Sequence, residues 1–521
     1  MSMRVRVAVG VAGLMMVAGS AFGQAGAAFG PRANQFPDII VSSVGPRGGT
    51  TIGQYGTYND GSGAISSYAL GADSCNIGTA AGIWINEGTY QNQHPVIGGQ
   101  IYRLFNGRIE MIGISWLKHG FCAADSCGTV NGVAGCTNLA GLAAGTTGCV
   151  GDFGSPQASC DWLGYGRSTD TYSASLNGSQ GSLGPRSEVN PWTGVYPHPW
   201  GKQGNNPASC LNKRLLVRRS HFDPAQYPGA QYFGEVVYIM TDEWPGQRYN
   251  GYSYRKITVG ALSTVSGCSG TEQTYNLSFG ASEPTVAMKP AVEAWKTADP
   301  NVKLVTVDAP NDGRFYVGSK VTNRGDGTWN YEYIVFNMNS DRAAKSFSIP
   351  KKNTPMVEIT LPSNHFKGVE YHSGEGYALT PWTGVVNGPS VEWSTDPWEL
   401  NQNANALRWS TTYNFRFIAN RPPATGSVQL GLFKPAVVTG DANFITASGI
   451  DIPSEPCVAD FNGVNGVTID DLFAYFNAYF VGCMGDQGSP CNGANADFDN
   501  NSILSIDDLF GYVNAWFVGC Q

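Results

Sequence analysis

The sequence predicts a mainly β protein, in which two β-rich regions are followed by a small α-helical module. Charged residues make up only 14% of the 521 residues, and 24 Tyr, 24 Phe and 13 Trp occur together with 67 Gly. That composition is typical of short strands joined by turns. Apolar and polar residues alternate with the two-residue period of strands in many segments, whereas helical periodicity is concentrated near the C terminus. The length allows two or three separately cored units.

The N terminus has the three-part pattern of a secretory signal peptide. Arg4 and Arg6 precede an apolar run that ends at Val17, and a stretch of mostly small residues follows it. We therefore expect residues 1–23 to be removed and the protein to be secreted, either as an extracellular or as a cell-surface protein. No later segment reaches the roughly 18 apolar residues that span a bilayer, so we expect no transmembrane segment.

The cysteines divide the chain into parts. Eight of the twelve lie from Cys75 to Cys268, four lie from Cys457 to Cys520, and none lies between these groups. No two cysteines have the Cys-x-x-Cys spacing, and the expected compartment is oxidising, so disulfides are favoured over zinc ligation. The gap in cysteine usage supports a domain boundary near residues 285–300.

The first region, residues 24–289, is predicted to be a β-rich domain with disulfides. Its clearest element is a hairpin, in which Ile101 to Phe105 and Arg108 to Ile112 flank the dipeptide Asn106-Gly107. That dipeptide tolerates the positive φ angles of a two-residue turn. A short helix is expected from Pro290 to Ala298, where proline stands at the first position.

The second region, residues 290–436, is predicted to be an immunoglobulin-like β-sandwich. Alternating aromatic and apolar residues run from Trp329 to Val335 and again from Tyr413 to Phe417. Sheets that pack face to face need that alternation. Residues 437–456 contain Gly, Ser, Pro and acidic residues without Lys or Arg, and they are interpreted as a linker.

The last region, residues 457–521, contains an internal repeat. Asp460 to Cys483 aligns without gaps to Asp497 to Cys520, at a period of 37 residues. Each copy begins with acidic and polar residues at the spacing of a calcium loop, in which positions 1, 3, 5, 7, 9 and 12 supply oxygen atoms. In the second copy the expected ligands are Asp497, Asp499, Asn501, Ser505 and Asp508 through side chains and Ile503 through its carbonyl oxygen.

The first copy fits the calcium pattern less completely. Val464 stands at position 5, where a side-chain oxygen is expected, so this loop should bind calcium more weakly. The same residue types also make turns and cap helices, which is the alternative interpretation of a single loop. The expected ligands of the first copy are Asp460, Asn462, Gly466, Thr468 and Asp471, with Gly466 at the carbonyl position.

The helices that follow the loops carry aromatic residues on more than one face. Mutual packing of the two helices accounts for some of these residues, but a module this small cannot bury all of them, so an apolar partner surface is also expected. We favour disulfides within each repeat, Cys457 with Cys483 and Cys491 with Cys520, over crossed pairing.

This terminal repeat resembles the dockerins, specifically the bacterial type whose repeats end in Gly-Cys. The matching segments are ADFNGVNGVTIDDLFAYFNAYFVGC and ADFDNNSILSIDDLFGYVNAWFVGC. The resemblance implies paired calcium-binding loop-helix units that dock onto a cohesin-like scaffold or cell-surface protein. It also implies that Ile469, Asp470, Ile506 and Asp507 help to select the partner.

The function of the β-rich regions is left open by the sequence. The net charge of −8 gives no support for nucleic-acid binding. Dockerin-like modules suggest a cargo that acts on polysaccharide, and Trp192, Tyr196 and Trp200 could either stack on sugars or hold a long loop in place. We expect a cargo that binds glycan or a surface component. The alternatives are a glycoside hydrolase and a structural surface-layer protein. A glycoside hydrolase needs two carboxyl groups, and Glu243 and other acids beside Trp are candidates, but no spacing marks two of them as a pair.

Overall fold

A computed structural model gives the arrangement of most of the chain. It describes residues 35–46, 49–85, 93–119, 123, 129–130, 133–134, 161–200, 211–268, 270–351, 358–369, 374–436, 438–453, 458–462, 467–485, 490–491 and 494–519. The expected signal peptide, most of the cysteine-rich segment from Cys122 to Cys160, and Gly466 lie outside these residues.

The first region consists of strands in antiparallel sheets. One short helix lies within it, and a second follows its end. The strands are β1 Ile39–Val44, β2 Gly53–Asn59, β3 Ala64–Ala69, β4 Ala72–Asn76, β5 Gly82–Ile83, β6 Val96–Phe105, β7 Arg108–Ile114, β8 Leu117–His119, β9 Thr129–Val130, β10 Val133–Ala134, β11 Trp162–Leu163, β12 Ser168–Tyr172, β13 Leu183–Gly184, β14 Leu215–Arg218, β15 Gln231–Ile239, β16 Tyr252–Gly267 and β17 Gly270–Phe279. The helices are α1 Ala174–Asn177 and α2 Glu293–Ala298.

A seven-stranded sheet is the central layer of this region. Its order is β13-β8-β6-β15-β16-β17, and β7 also pairs with β6. The neighbouring residues Ile101 and Tyr102 belong to two different hydrophobic cores, because successive side chains of a strand point to opposite faces. The Ile101 face is covered by smaller sheets of order β1-β4-β12 and β14-β3-β2.

The predicted hairpin is confirmed. Strand β6 ends at Phe105 and β7 begins at Arg108, with Asn106 and Gly107 at φ 48° and 71°. The helix expected from Pro290 to Ala298 begins later, at Glu293, and it buries Trp295.

The second region forms two antiparallel sheets. Its strands are β18 Lys303–Asp308, β19 Arg314–Asn323, β20 Trp329–Asn337, β21 Ala344–Pro350, β22 Ile359–Thr360, β23 Phe366–Lys367, β24 Thr383–Asn387, β25 Ser390–Ser394, β26 Thr411–Ala419, β27 Pro423–Leu432 and β28 Phe444–Pro453. One sheet has the order β18-β19-β20-β26-β22 with β23 also on β26, and the other has the order β24-β25-β21-β27-β28. Phe415 of the first sheet contacts Phe347 and Trp393 of the second, with ring centroids 4.8 Å and 5.3 Å apart.

The linker predicted at residues 437–456 is wrong for most of its length. Residues Phe444–Pro453 form β28, which pairs with β27 along its whole length. Four apolar side chains of β28 are buried and stabilise the strand, although its Gly and Ser residues resemble those of a linker. They are Ile445, Ala447, Ile450 and Ile452.

The core is continuous across residues 289 and 290, where the sequence suggests a domain boundary. The buried cluster that contains Tyr102 and Tyr252 also contains Phe336 and Phe415. A buried ion pair joins Arg108 to Glu332 at 2.5 Å across the same junction. The two β-rich regions therefore bury a shared apolar surface.

The C-terminal segment is helical, with α3 at Ile469–Val481 and α4 at Ile506–Val518. The described chain is thus mainly β with a small helical region at its end, as the composition predicts. Among its described helices, none is long and apolar enough to cross a membrane.

Candidate metal centre

The two C-terminal helices begin in the same way. Thr468 caps α3 and Ser505 caps α4, and each forms a reciprocal capping box with the aspartate three residues later, Asp471 or Asp508. The side-chain oxygen satisfies an amide of the first helical turn, and the carboxylate satisfies the cap amide. The last polar residues of each loop are therefore fixed by the helix that follows.

Three carboxylates of the second loop converge. Asp497, Asp499 and Asp508 each offer one oxygen atom, and these atoms lie within 4.8 Å of one another. Oxygen ligands lie 2.3–2.6 Å from calcium, so two ligands of one ion are at most about 5 Å apart. The spacing of the three aspartates therefore fits a single calcium ion.

The backbone of the second loop wraps around two of these carboxylates. Asp497 accepts hydrogen bonds from the amides of Asn501 at 3.1 Å and Ser502 at 2.7 Å. Asp508 accepts from the amides of Asp499 at 3.2 Å and Ser505 at 2.7 Å. Both carboxylates are buried, so their orientation is set by the backbone.

The remaining expected ligands of the second loop lie beside these aspartates. Asn501 donates from its side-chain amide to Asp499 at 2.8 Å, and its side-chain oxygen accepts from the amide of Ile503. The hydroxyl of Ser505 donates to Asp508 at 3.2 Å. Ser502 has a φ of 68° at loop position 6, where a calcium loop makes its sharp turn.

The first loop repeats part of this pattern. Asp471 accepts from the amides of Asn462 at 3.0 Å and Thr468 at 2.7 Å, at the two positions that match Asp499 and Ser505. Gly466 lies outside the described residues, as does the Val464 position. Within the described part of the chain, a convergent group of three acidic ligands is found in the second loop only.

Hydrogen bonds favour the charged form of the last aspartate in each loop, Asp471 or Asp508. Burial by itself raises the pKa of Asp508, but hydrogen bonds from Ser505 and Asp499 outweigh it, and the net pKa is lowered. The pKa of Asp471 is lowered in the same way by Asn462 and Thr468. Ionised carboxylates are the form that calcium binds.

The two repeats hold each other in place through aromatic side chains. Tyr475 of α3 donates to the carbonyl oxygen of Ala496, and Tyr512 of α4 donates to the carbonyl oxygen of Ala459. Those carbonyls lie directly before the second and the first loop. The rings of Tyr475 and Tyr512 stack with centroids 3.8 Å apart. Each helix therefore positions the start of the other repeat's loop.

A second reciprocal pair reaches the ends of the loops. Tyr479 donates to the carbonyl oxygen of Ser505 at 2.9 Å, and Trp516 donates to that of Thr468 at 2.8 Å. The 37-residue period relates Tyr475 to Tyr512 and Tyr479 to Trp516, so the sequence contains a signal for the paired role of these rings.

The predicted disulfide pairing is wrong. Cys483 bonds to Cys491, with their Cα atoms 5.3 Å apart. Helix α3 ends at Val481 and is capped by Gly482 in a left-handed conformation. The chain then turns back so that the amide of Ala496 donates to the carbonyl of Cys483. This turn brings the two cysteines together, so neither is available to Cys457 or Cys520, which lie outside the described residues.

A scan against protein-family models and a search of curated proteins found no match.

The residues expected to select a partner lie on the surface of the module. Ile469, Asp470, Ile506 and Asp507 are all exposed at the first turns of α3 and α4. Large apolar side chains are also exposed on both helices. At matching positions they are Ile469 and Ile506, Phe473 and Phe510, Phe480 and Phe517, and Val481 and Val518.

The candidate residues of the β-rich regions have structural contacts. Glu243 is buried and accepts a hydrogen bond from the amide of Ile39 at 2.7 Å. Tyr196 is buried and donates to the carbonyl of His94, while Trp200 stacks on His119 at 3.6 Å. Tyr196 and Trp200 therefore hold their loop against the large sheet.

Proposed function

We propose that this protein is a secreted, calcium-dependent docking protein of the dockerin type. Its C-terminal repeat binds calcium and attaches to a cohesin-like scaffold or cell-surface protein. The β-rich regions, whose second part we class with immunoglobulin-like sandwiches, are the cargo and bind glycan or a surface component. The two face-to-face antiparallel sheets support that classification.

The observation that carries the docking proposal is the duplicated exposed apolar surface. Phe480 and Phe517 occupy the same position in the two repeats, and each is 76% exposed. Soluble domains rarely expose so many large apolar side chains at matched positions of two helices unless a partner covers them. Single exposed residues need no explanation, but matched pairs along two helices support a protein interface.

Calcium has a direct structural role in this proposal. The loop carboxylates also form the capping boxes of α3 and α4. An ion that binds Asp508 therefore orders the first turn of α4, from which Ile506 and Asp507 are presented. Partner binding should depend on calcium for that reason.

The test measures binding of the full chain to a panel of purified cohesin modules by surface plasmon resonance, with calcium and with a chelator. We expect at least one cohesin module to bind in the presence of calcium, and we expect this binding to be lost when the chelator is added. Phe480→Ala with Phe517→Ala should abolish that binding, whereas Leu400→Ala, which removes an exposed apolar residue elsewhere, should not change it. Equal binding with and without calcium would contradict the proposal.

A further inference from the structure

The net charge of the chain is concentrated in its C-terminal module. Residues 457–521 contain eight Asp and no Glu, Lys, Arg or His, whereas the whole chain has 40 acidic and 32 basic residues. The module therefore accounts for the entire formal net charge of −8, and the acidic and basic residues that precede it are equal in number. A field of one sign attracts a partner of the opposite sign and raises the rate of association with it.

The expected calcium ions compensate only part of this charge. Five of the eight aspartates are expected calcium ligands, and three of those five converge in the second loop. Asp470 and Asp507 are not among them. Each is exposed and directly precedes the buried aspartate of a capping box, Asp471 or Asp508. Because the module has no Lys, Arg or His, it contains no cationic side chain that could pair with either exposed carboxylate.

Each exposed carboxylate lies beside exposed apolar side chains of the same helix. At 3.6 residues per turn, Ile469, Phe473 and Phe480 fall within about 40° of one another around the axis of α3, and Asp470 lies about 60° beyond Phe473. All four residues are exposed, while Tyr475 on the opposite side of the helix is buried. Each helix therefore has an apolar strip with an acidic edge. The equivalent exposed residues of α4 are Ile506, Phe510, Phe517 and Asp507.

This combination restricts the chemistry of a partner surface. Apolar side chains at the centre of an interface need an apolar surface opposite them, and charged groups are usually found at its rim. A carboxylate that loses water at such a rim is costly unless a cation pairs with it. A bilayer of anionic lipids would satisfy the apolar strip but would be repelled by the charge of the module.

We propose that the partner of the module is a protein surface with an apolar centre and with Lys or Arg residues at its edge, which pair with Asp470 and Asp507. This inference deepens the docking part of the proposed function and rests on it. Complementary charge at the rim of an interface acts mainly on the association rate, so the association rate constant is the quantity to measure.

The first experiment measures association of the full, calcium-loaded chain with the binding cohesin module of the panel by surface plasmon resonance. Raising the ionic strength from about 0.01 M to about 0.15 M shortens the Debye length from about 30 Å to about 8 Å. We expect the association rate constant to fall at least about tenfold over this range.

Variants locate the charges that are responsible. Asp470→Asn with Asp507→Asn should lower the association rate constant at low ionic strength at least about threefold and should weaken its salt dependence. Asp326→Asn with Asp396→Asn is the matched control, because it removes the same number of exposed carboxylates from the second β-rich region. The control should leave both quantities unchanged.

The second experiment does not require a cohesin module. Two synthetic helical peptides carry the same leucine positions, flanked by Lys in one peptide and by Glu in the other, and fluorescence anisotropy measures their binding to the full chain with calcium. We expect the Lys peptide to bind at least about tenfold more tightly than the Glu peptide. Phe480→Ala with Phe517→Ala should abolish binding of the Lys peptide, and Asp470→Asn with Asp507→Asn should weaken it.

The outcomes separate this inference from the docking proposal. Cohesin binding whose rate responds neither to salt nor to the Asp470 and Asp507 variant would overturn the inference and leave docking intact. A preference for the Lys peptide without binding of any cohesin module would remove the cohesin-like class and keep the inference. Failure of the chain to distinguish the two peptides would overturn it. Binding to neutral phosphatidylcholine vesicles that is lost in the Phe480 and Phe517 variant would also do so, because lipid would then cover the apolar strips.

Discussion

The rings of Tyr475 and Tyr512 stack face to face, with their centroids 3.8 Å apart, at the centre of the C-terminal repeat. The two residues are equivalent in the repeat, and each hydroxyl bonds the backbone that leads into the other repeat's loop. This contact joins two half-modules into one unit.

Tyr512→Phe should lower the free energy of unfolding of the C-terminal module by about 1 kcal/mol, because it removes one hydrogen bond but keeps the ring. Tyr512→Ala should cost about 3–5 kcal/mol, since a buried ring is lost. Hydrogen–deuterium exchange of peptides from α3 and α4 at increasing urea concentration measures both. Equal effects of the two variants would show that ring stacking contributes nothing.

Asp508→Asn should weaken calcium binding at the second loop by at least about tenfold, because one of three converging charges is removed. Isothermal titration calorimetry measures the affinity. Asp507→Asn is the matched control, since Asp507 is exposed and lies outside the converging group. A similar loss in both variants would point to a general charge effect instead of direct ligation.

Replacing both Cys483 and Cys491 with Ser should destabilise the module by about 2–3 kcal/mol, because the bridge closes a short loop. Mass spectrometry of a non-reduced digest should find these two cysteines in one linked peptide pair. Recovery of Cys483 linked to Cys457 would contradict the observed pairing.

The stability of the first β-rich region should fall as pH decreases from about 6.5 to 4. Burial lowers the pKa of His94 to about 4 and that of His119 to about 2. An unfolded histidine titrates near 6.5, so in this window the unfolded chain binds more protons than the folded chain does. Each histidine then lowers the free energy of unfolding by up to about 1.4 kcal/mol for each pH unit of decrease.

Urea denaturation at pH 7, 6 and 5 measures this dependence. The contribution of the two histidines is the difference in pH slope between the unmodified chain and the double variant His94→Gln with His119→Gln. The subtraction is needed because burial raises the pKa of Glu235 to about 8, which has the opposite effect on stability. An identical pH slope in the two chains would show that the buried pair titrates normally.

The convergence of Asp497, Asp499 and Asp508 could be predicted from sequence because the three residues lie within twelve consecutive positions, and local spacing determines which oxygens meet. The hairpin at Asn106 and Gly107 was predictable for the same reason. The disulfide was not, because its partner depends on how the chain turns after Gly482. Strand β28 was missed because its polar and glycine residues resemble those of a linker, although its apolar positions pair with β27.

A cavity of about 180 Å³ at the junction of the two β-rich regions could not be predicted from sequence. Its lining residues meet only because the two regions share a core. They include Arg186, Asp341, Glu375 and Arg408, which are separated by up to more than two hundred residues. The sequence suggested a domain boundary between them. Residues on opposite sides of such a boundary are not usually considered as one site.

The crossed hydrogen bonds of Tyr475, Tyr512, Tyr479 and Trp516 have a thermodynamic consequence for ion binding. If the two loops bind calcium as proposed, ordering either loop restrains the backbone from which the other loop starts or ends, so a second ion would meet a loop whose conformational entropy is already reduced. The incomplete first loop would then gain apparent affinity from occupancy of the second. By linkage the gain is mutual, and the pair should fill with positive cooperativity.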